Sequence, residues 1–592
     1  MTQDKQRTFI LFLILPLILA PILVFAHQYQ VGLSEYDWFS SGSSAYDFFL
    51  YFKSRFLILT GAVFLVLIIY RWYTEQNLFF KYLNPLTWCC ITIYAILIIL
   101  SCLFAQKSEM AFQGGFEQFE GGLVLLTYLL LLIYSSTLNI QKNTLHLYYT
   151  IIGVGVGIVS GVGALQALNA DFFQTELGQT LMKMFESSLA GQSLRFNFGE
   201  GRTYAMQYNP NYIGSYVALL LPIIIAGAIV LKKIWQKLIM GILSLCLILS
   251  LIGSESLTGA LGIGMSILLV IFLLLPKFRF YKKFLFTFTG CSLILLAIIL
   301  LCKPDVLKYG YNKLFKVPES NYRVQNFENK DGKLLIHSGS NVLTVDYNTE
   351  KQTISFYENE KAMNNITQSE QLFQVEQGAF KSMQIQPNTF TTYDQKTVSG
   401  LTIKVDEHSW NLVKQDDSFM FLNTFLKLDE IRKIEAFGFE NTQHFGSRRG
   451  YIWSRTLPLI KNNIFWGAGP DQFVLAFPND DYVGLENNNY TGSVVTKPHN
   501  MFLQIAIQTG LFSLLAFIVL YGWYAVKSIG LYLHCKHMGA LEITGIGIFI
   551  GTFGYFITGL ANDSSVTVAP VFWTILGIGF TINRIVKREL EK

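Results

Sequence analysis

Charge is scarce in this chain of 592 residues. Only 14% are Asp, Glu, Lys or Arg, while 52% are hydrophobic and the mean hydropathy is +0.38. Soluble proteins carry about 25% charged residues, so an ordinary cytosolic enzyme is excluded. Cysteine is scarce as well: seven in all, and none between residues 303 and 498, the longest polar region. A disulfide framework is therefore excluded there, as is normal for a bacterial surface and unusual for an animal one. The chain also lacks a Walker loop, a dinucleotide fingerprint, Cys/His metal spacing, a Gly-x-Ser-x-Gly elbow and any internal repeat.

What is present is a series of apolar runs of about 20 residues, the length that crosses a bilayer. They lie near 8–26, 56–73, 84–104, 121–137, 146–168, 211–231, 236–253, 257–276, 284–302, 500–526, 541–560 and 567–584. About twelve spans are expected. The first follows Lys5 and Arg7 without a small-x-small cleavage site, so it reads as a retained helix. With the amino terminus in the cytoplasm, Lys and Arg number 18 on the cytoplasmic links and termini and 6 in the short outer loops. That bias puts both termini inside, and puts 303–498 outside with the loops at 27–55, 105–120 and 169–210.

The outer region changes pattern along its length. From about 318 to 435 it alternates polar and apolar residues between Asp-Gly, Ser-Gly and Pro-Asn turns, which predicts a small β-rich unit. From Gly446 the pattern is helical and then Gly/Asn-rich. The expected division is a membrane part at 1–302 holding nine spans, an extracytoplasmic β-rich insert at 303–445, an extracytoplasmic loop with an amphipathic helix at 446–499, and a membrane part at 500–592 holding three more.

Four polar segments converge on the outer face. In Gly446-Ser-Arg-Arg-Gly-Tyr-Ile-Trp-Ser-Arg455, helical periodicity sets Arg449 on the apolar side with Trp453 and Leu457, and Arg448 and Arg455 on the opposite side. A guanidinium on a packed face needs an anion. For Arg448 and Arg455 the alternative is snorkelling to lipid phosphates. Lys497-Pro-His-Asn500 opens the tenth span, where the helix field favours the neutral imidazole of a general base at His499; a cap or interface anchor is the other reading. Gly199-Glu-Gly-Arg202 leads to Asn209-Pro-Asn211 before the sixth span, and Glu117 and Glu120 precede the fourth.

These residues carry a resemblance. Arg202-Thr-(x)5-Asn209-Pro-Asn211-(x)2-Gly, the Gly446 to Pro458 segment running into Gly467-Ala-Gly-Pro470, and Pro498-His-Asn-(x)2-Leu-Gln-(x)4-Thr-Gly-Leu511 resemble those of the O-antigen ligase and polymerase family. The resemblance spans roughly 50–300 and 446–585. It implies an all-α polytopic membrane protein of about twelve transmembrane helices, GT-C-like, with an inserted extracytoplasmic β-rich domain. Many members carry Arg where this chain has Gln118.

The resemblance implies an inverting glycosyltransferase, independent of metal or other cofactor, that moves a glycan from an undecaprenyl-pyrophosphate carrier. The acceptor is a hydroxyl of a glycolipid or glycan at the outer leaflet of a bacterial plasma membrane. Arg202 and Arg449 would hold the pyrophosphate, and His499 would deprotonate the acceptor. Arg448, Arg455, Asn209, Asn211, Glu120 and Asn500 are expected to bind substrate. A ligase that finishes a teichoic-acid or polysaccharide polymer and a Wzy-type polymerase share these motifs, and the ligase is the reading favoured. Partners are then the lipid-linked donor, the acceptor and membrane lipids, without nucleic acid. A lipid-linked glycan transporter would place ionisable groups near the bilayer midplane. A non-catalytic sensor would need no arginines on separate outer segments.

Overall fold

A computed structural model describes residues 3–40, 42, 44–196, 198–277, 324–363, 365–535 and 538–591. Among these, nine helices are long and apolar enough to cross a membrane, from Tyr51–Thr74 to Ala569–Leu590, and Gln6–Ile22 and Gly122–Thr137 are shorter apolar helices. The chain is a multi-pass membrane protein. The span expected at 284–302 lies outside the described residues.

Three helices form the centre of the bundle: Pro210–Val230, Ala540–Thr558 and Ala569–Leu590. Lipid is as apolar as leucine, so helices in a bilayer gain by close van der Waals approach, which small residues allow. Gly551 shows this, because a Cβ there would lie 2.0 Å from the Leu219 carbonyl oxygen. The polar loops at the ends of these central helices are consequently enclosed by protein.

The tenth span departs from expectation. Instead of one helix over 500–526 there is a short helix, Met501–Gln508, and then a long one, Leu511–His534. Gly510 makes the break with φ 97°, and a Cβ there would meet the Phe465 carbonyl oxygen at 2.4 Å. The short helix and its preceding loop are therefore set apart from the crossing helix.

Residues 326–430 form two antiparallel meanders, one of five strands (326–362) and one of seven (366–430). Every neighbouring pair is consecutive in the chain, as the alternation and the Asp-Gly and Ser-Gly turns predict, but Pro387-Asn388, expected as a turn, lies inside the strand Gln384–Thr391. Their core includes Phe327, Leu343, Ile403, Trp410 and Leu412, and it also takes in Val483 from the later loop. The sheets rest on the Tyr482–Asn487 helix: Trp410 Nε1 donates to the Tyr482 carbonyl (3.2 Å), and Asn487 Nδ2 donates to the Val324 carbonyl (2.9 Å).

Candidate active site

The loop between the two last central helices, 559–568, delivers Asn562, Asp563 and Ser564 to one end of the bundle. Asn562 fixes that loop, since its Nδ2 donates to Ser215 Oγ (2.9 Å), Thr258 Oγ1 (2.9 Å) and the Asn211 carbonyl (3.2 Å). Asn209 caps the Pro210–Val230 helix through the Asn211 amide (2.9 Å). The Asn-Pro-Asn segment thus starts the central helix and seats the loop beside Asp563.

Asp563 meets His499. Its Oδ2 lies 2.9 Å from His499 Nδ1, and its Oδ1 accepts from the Asn500 backbone N–H at 3.2 Å. The carboxylate is 1% exposed and the imidazole 40% exposed. With a carboxylate as partner, Nδ1 carries the ring proton and Nε2 keeps its lone pair. Burial pushes the Asp563 carboxyl up, but His499, Lys497 and Arg449 more than offset this and hold it below its ordinary value.

Local backbone sets the imidazole in place. His499 has φ 51°, a left-handed conformation costing about 1–2 kcal/mol in a non-glycine residue. The turn lets Asn500 cap the Met501–Gln508 helix, accepting from the Phe502 (2.9 Å) and Leu503 (3.0 Å) amides, while its Nδ2 donates to the Leu560 carbonyl (2.8 Å). Asn500 is therefore fully engaged as a cap.

Arg449 stands beside this pair. Its neighbour Trp453 donates from Nε1 to the Pro498 carbonyl at 2.8 Å, which joins the 445–456 helix to the histidine loop. The guanidinium donates from Nη1 to the Gly446 carbonyl (2.8 Å), its buried Nε has no partner, and among the described residues it forms no ion pair. Burial disfavours its charge, and Asp563, Tyr490 and Tyr212 partly oppose that. A partly buried guanidinium with open donors is suited to an oxyanion ligand.

The helical wheel of the 446–455 segment needs correction. Gly446, Ser447 and Arg448 have φ of 59°, 63° and 70°, so the regular helix begins only at about Arg449. Arg448 cannot be assigned to the face opposite Arg449. Arg455 is not on a lipid-facing surface either: it is buried, with Nε 2.9 Å from Asp481 Oδ2 and its guanidinium over the Tyr451 ring at 5.0 Å. A guanidinium this deep is held by its carboxylate and is not free for substrate.

Two other candidates lie off this centre. Arg202 pairs with Glu255 and lines a groove of about 760 Å³ with Phe196, Phe198 and Asp171. Its partner Glu255 stands three residues before Thr258, which lies in the first turn of the next helix and accepts from Asn562. Glu120 is enclosed beneath the centre and accepts from Tyr128 (2.8 Å), Ser564 (2.8 Å) and Gln504 (3.1 Å). Burial pushes its carboxyl up to about 8. It braces the loop and presents no open face.

The 114–120 loop clasps the histidine segment from the other side. Gln118 donates to the Thr496 carbonyl (2.8 Å), and Lys497 Nζ donates to the Glu117 carbonyl (2.8 Å) while lying 5.0 Å from the Tyr208 ring. Asp471, next after Gly467-Ala-Gly-Pro470, accepts from the Gly115 (2.9 Å) and Glu120 (2.7 Å) amides, and burial pushes its carboxyl up to about 7.

Residues 408–518 match the family model for the O-antigen ligase. This stretch is similar to the O-antigen ligase domain. The match covers about a fifth of the chain, and it is to the family that the motifs resemble. The matched stretch begins within the seven-stranded sheet, at His408, and contains Arg449, Arg455, Asp471, Lys497 and His499. No curated protein matches the chain.

Sequence reasoning did not find Asp563 or Asp471, and it gave Lys497 no role of its own. For Asp563 the signal was the short run Asn562-Asp-Ser-Ser565 between the last two spans, where it is the one carboxylate. A histidine proposed as a base calls for an orienting carboxylate, and that requirement would have singled it out.

Proposed function

We propose that the chain is an inverting glycosyltransferase in which His499 Nε2 takes the proton of an acceptor hydroxyl as that oxygen attacks the anomeric carbon of a lipid-diphosphate-linked glycan. The observation that carries this is the buried Asp563 carboxylate on Nδ1 of a half-exposed His499, with Arg449 beside it and unpaired. Asp563 holds the tautomer and balances the imidazolium charge as it forms. Arg449 binds the diphosphate and stabilises the charge that grows on it as the glycosidic bond breaks, with Lys497 adding positive field and Arg448 within reach from the adjoining turn. Arg202, in its groove, serves the far end of the same substrate.

The carrier in this reading is undecaprenyl pyrophosphate and the site faces the outer leaflet, with both termini in the cytoplasm, in keeping with the basic residues along the links. The leaving diphosphate is already activated, so no metal ion is required. The acceptor is a glycolipid or cell-wall hydroxyl, which makes the enzyme a ligase for a teichoic-acid or polysaccharide polymer. Polymerisation onto a second lipid-linked chain uses the same groups. The insert at 303–445 would present the polymer to the site.

Purified protein incubated with a lipid-diphosphate oligosaccharide, with and without a glycolipid acceptor and in the presence of EDTA, tests the proposal. Acceptor-dependent release of lipid diphosphate is expected for the ligase, and chain growth from donor alone for the polymerase. Failure to consume donor under either condition, with His499→Ala indistinguishable from wild type, would overturn it.

A further inference from the structure

At the end of the bundle opposite His499 the structure holds a second cavity, of about 880 Å³. The Ala569–Leu590 helix starts beside the Asp563 loop and ends there, so the two places are about 30 Å apart at 1.5 Å per residue. Three elements build it: the 75–84 link, the far end of Leu511–His534 and the last turns of Ala569–Leu590. The lining holds Lys81, Lys527, Arg584, Lys587 and Arg588 against one carboxylate, Glu591, which lies 3.5 Å from Lys587, while Glu75 of the link pairs with Arg71 and Glu589 with Lys142. Lys527 and Arg584 stack on aromatic faces, 4.3 Å from the Trp523 ring and 4.6 Å from the Tyr82 ring.

Arg584 is pre-positioned in this cavity. Its guanidinium donates to the carbonyls of Tyr82 (2.8 Å), Ser136 (2.8 Å) and Leu138 (3.1 Å), and among the described residues it has no carboxylate partner. Carbonyl oxygens fix the fork without neutralising it. Five cations lining one cavity against a single lining carboxylate set up a positive potential that attracts an anion from outside the chain. The cavity wall turns apolar outward, where Val526 and Leu590 are exposed among the membrane-crossing helices. Headgroup-binding charge at the helix ends next to exposed apolar wall is the arrangement that takes a phospholipid.

We infer that this cavity binds an anionic phospholipid, its phosphodiester held by Arg584, Lys527 and Arg588 and its acyl chains lying along the Val526 side. The site is distinct from the transfer centre and makes the composition of the facing leaflet a determinant of how the far ends of the two helices are held.

The test is native mass spectrometry of the full chain, delipidated and then titrated with phosphatidylglycerol, cardiolipin, phosphatidylcholine or inorganic phosphate. The wild type should retain one anionic lipid in preference to phosphatidylcholine by at least about tenfold. Lys81→Gln/Lys527→Gln/Arg588→Gln should weaken that retention roughly a hundredfold, at the usual contribution of each basic residue near a lipid surface. The control Lys232→Gln/Lys233→Gln/Lys237→Gln, in another link, should leave it unchanged. Arg584 is kept because it ties three carbonyls. Should the triple variant not fold, Arg588→Gln alone, on an exposed side chain, should still show a loss of about fivefold. Undiminished retention in the charge variants, an equal loss in the control, or inorganic phosphate bound as tightly as lipid would each overturn the assignment.

Discussion

Asp563→Asn isolates the charge of the proposed dyad from its shape. The amide keeps an oxygen to accept the Asn500 N–H, so the cap of the Met501–Gln508 helix is preserved. What is removed is the negative end of the 2.9 Å contact to His499 Nδ1. A hydrogen bond to a charged group contributes about 1.5–3 kcal/mol, and a buried carboxylate facing a forming imidazolium sits at the upper end. At about 1.4 kcal/mol per factor of ten, that bond alone gives roughly 10–10² in rate. The imidazole also loses the group that fixes its tautomer, so turnover should fall by about 10²–10³ while donor binding changes little, since Asp563 does not face the donor. Turnover is followed as release of lipid diphosphate in proteoliposomes, with membrane levels matched by immunoblot. His499→Ala combined with Asp563→Asn should be no slower than His499→Ala alone, because the two residues act as one unit. Near-normal turnover of Asp563→Asn, or additive losses in the double variant, would refute the dyad.

Arg449→Lys should cut turnover about a hundredfold, since an ammonium cannot reproduce the bidentate fork, and Arg448→Lys should cost less than tenfold; the two rates measured side by side check the order. Glu120→Gln should fold and lose a pH dependence. The wild-type carboxyl is pushed up to about 8, so between about 4.5 and 8 the folded state binds more protons than the unfolded one, and stability falls as pH rises through that window. Melting curves from pH 5 to 8 should be flatter for the variant, with Asp471, pushed up to about 7, left as the remaining source of slope. Asp481→Ala should destabilise by about 3–5 kcal/mol by leaving Arg455 buried and unpaired, read as a lower denaturation midpoint in detergent, whereas Arg455→Met with Asp481→Leu should recover much of the loss. Replacing 324–430 with a flexible linker should lower donor turnover as well as altering acceptor choice, because it uncovers Val483 and the helix capped by Asp481; donor-release assays at matched expression decide it.

The bundle was largely legible from the sequence, and the loops at its end were not. The apolar runs coincide with crossing helices from Tyr51–Thr74 to Ala569–Leu590 because a bilayer imposes a length and an apolarity that can be counted locally. The meanders at 326–430 were readable for a similar reason, since each strand pairs with its chain neighbour and Asp331-Gly332 and Ser338-Gly339 mark reversals, although Pro387-Asn388, read as a turn, lies inside the strand Gln384–Thr391. The break at Gly510 was not, because a glycine followed by an apolar run also reads as a continuous helix, and only the approach of the Phe465 carbonyl requires the left-handed turn.

The site divides the same way. The sequence by itself determined that arginines and a histidine gather in polar loops at the helix ends, since a guanidinium or an imidazole inside an apolar run is too costly to retain without a purpose. Only the tertiary structure decided which of them stand together. Arg449 and His499 meet through Trp453 and Pro498, and His499 finds Asp563 across 64 residues of chain. Arg455 is drawn instead into a pair with Asp481, and Arg202 into one with Glu255. Span length is fixed by the solvent, one helix at a time. The partner of a buried charge is fixed by which helix ends pack side by side, and the central helices owe that packing to contacts such as Gly551 on Leu219, far from the charges they bring together.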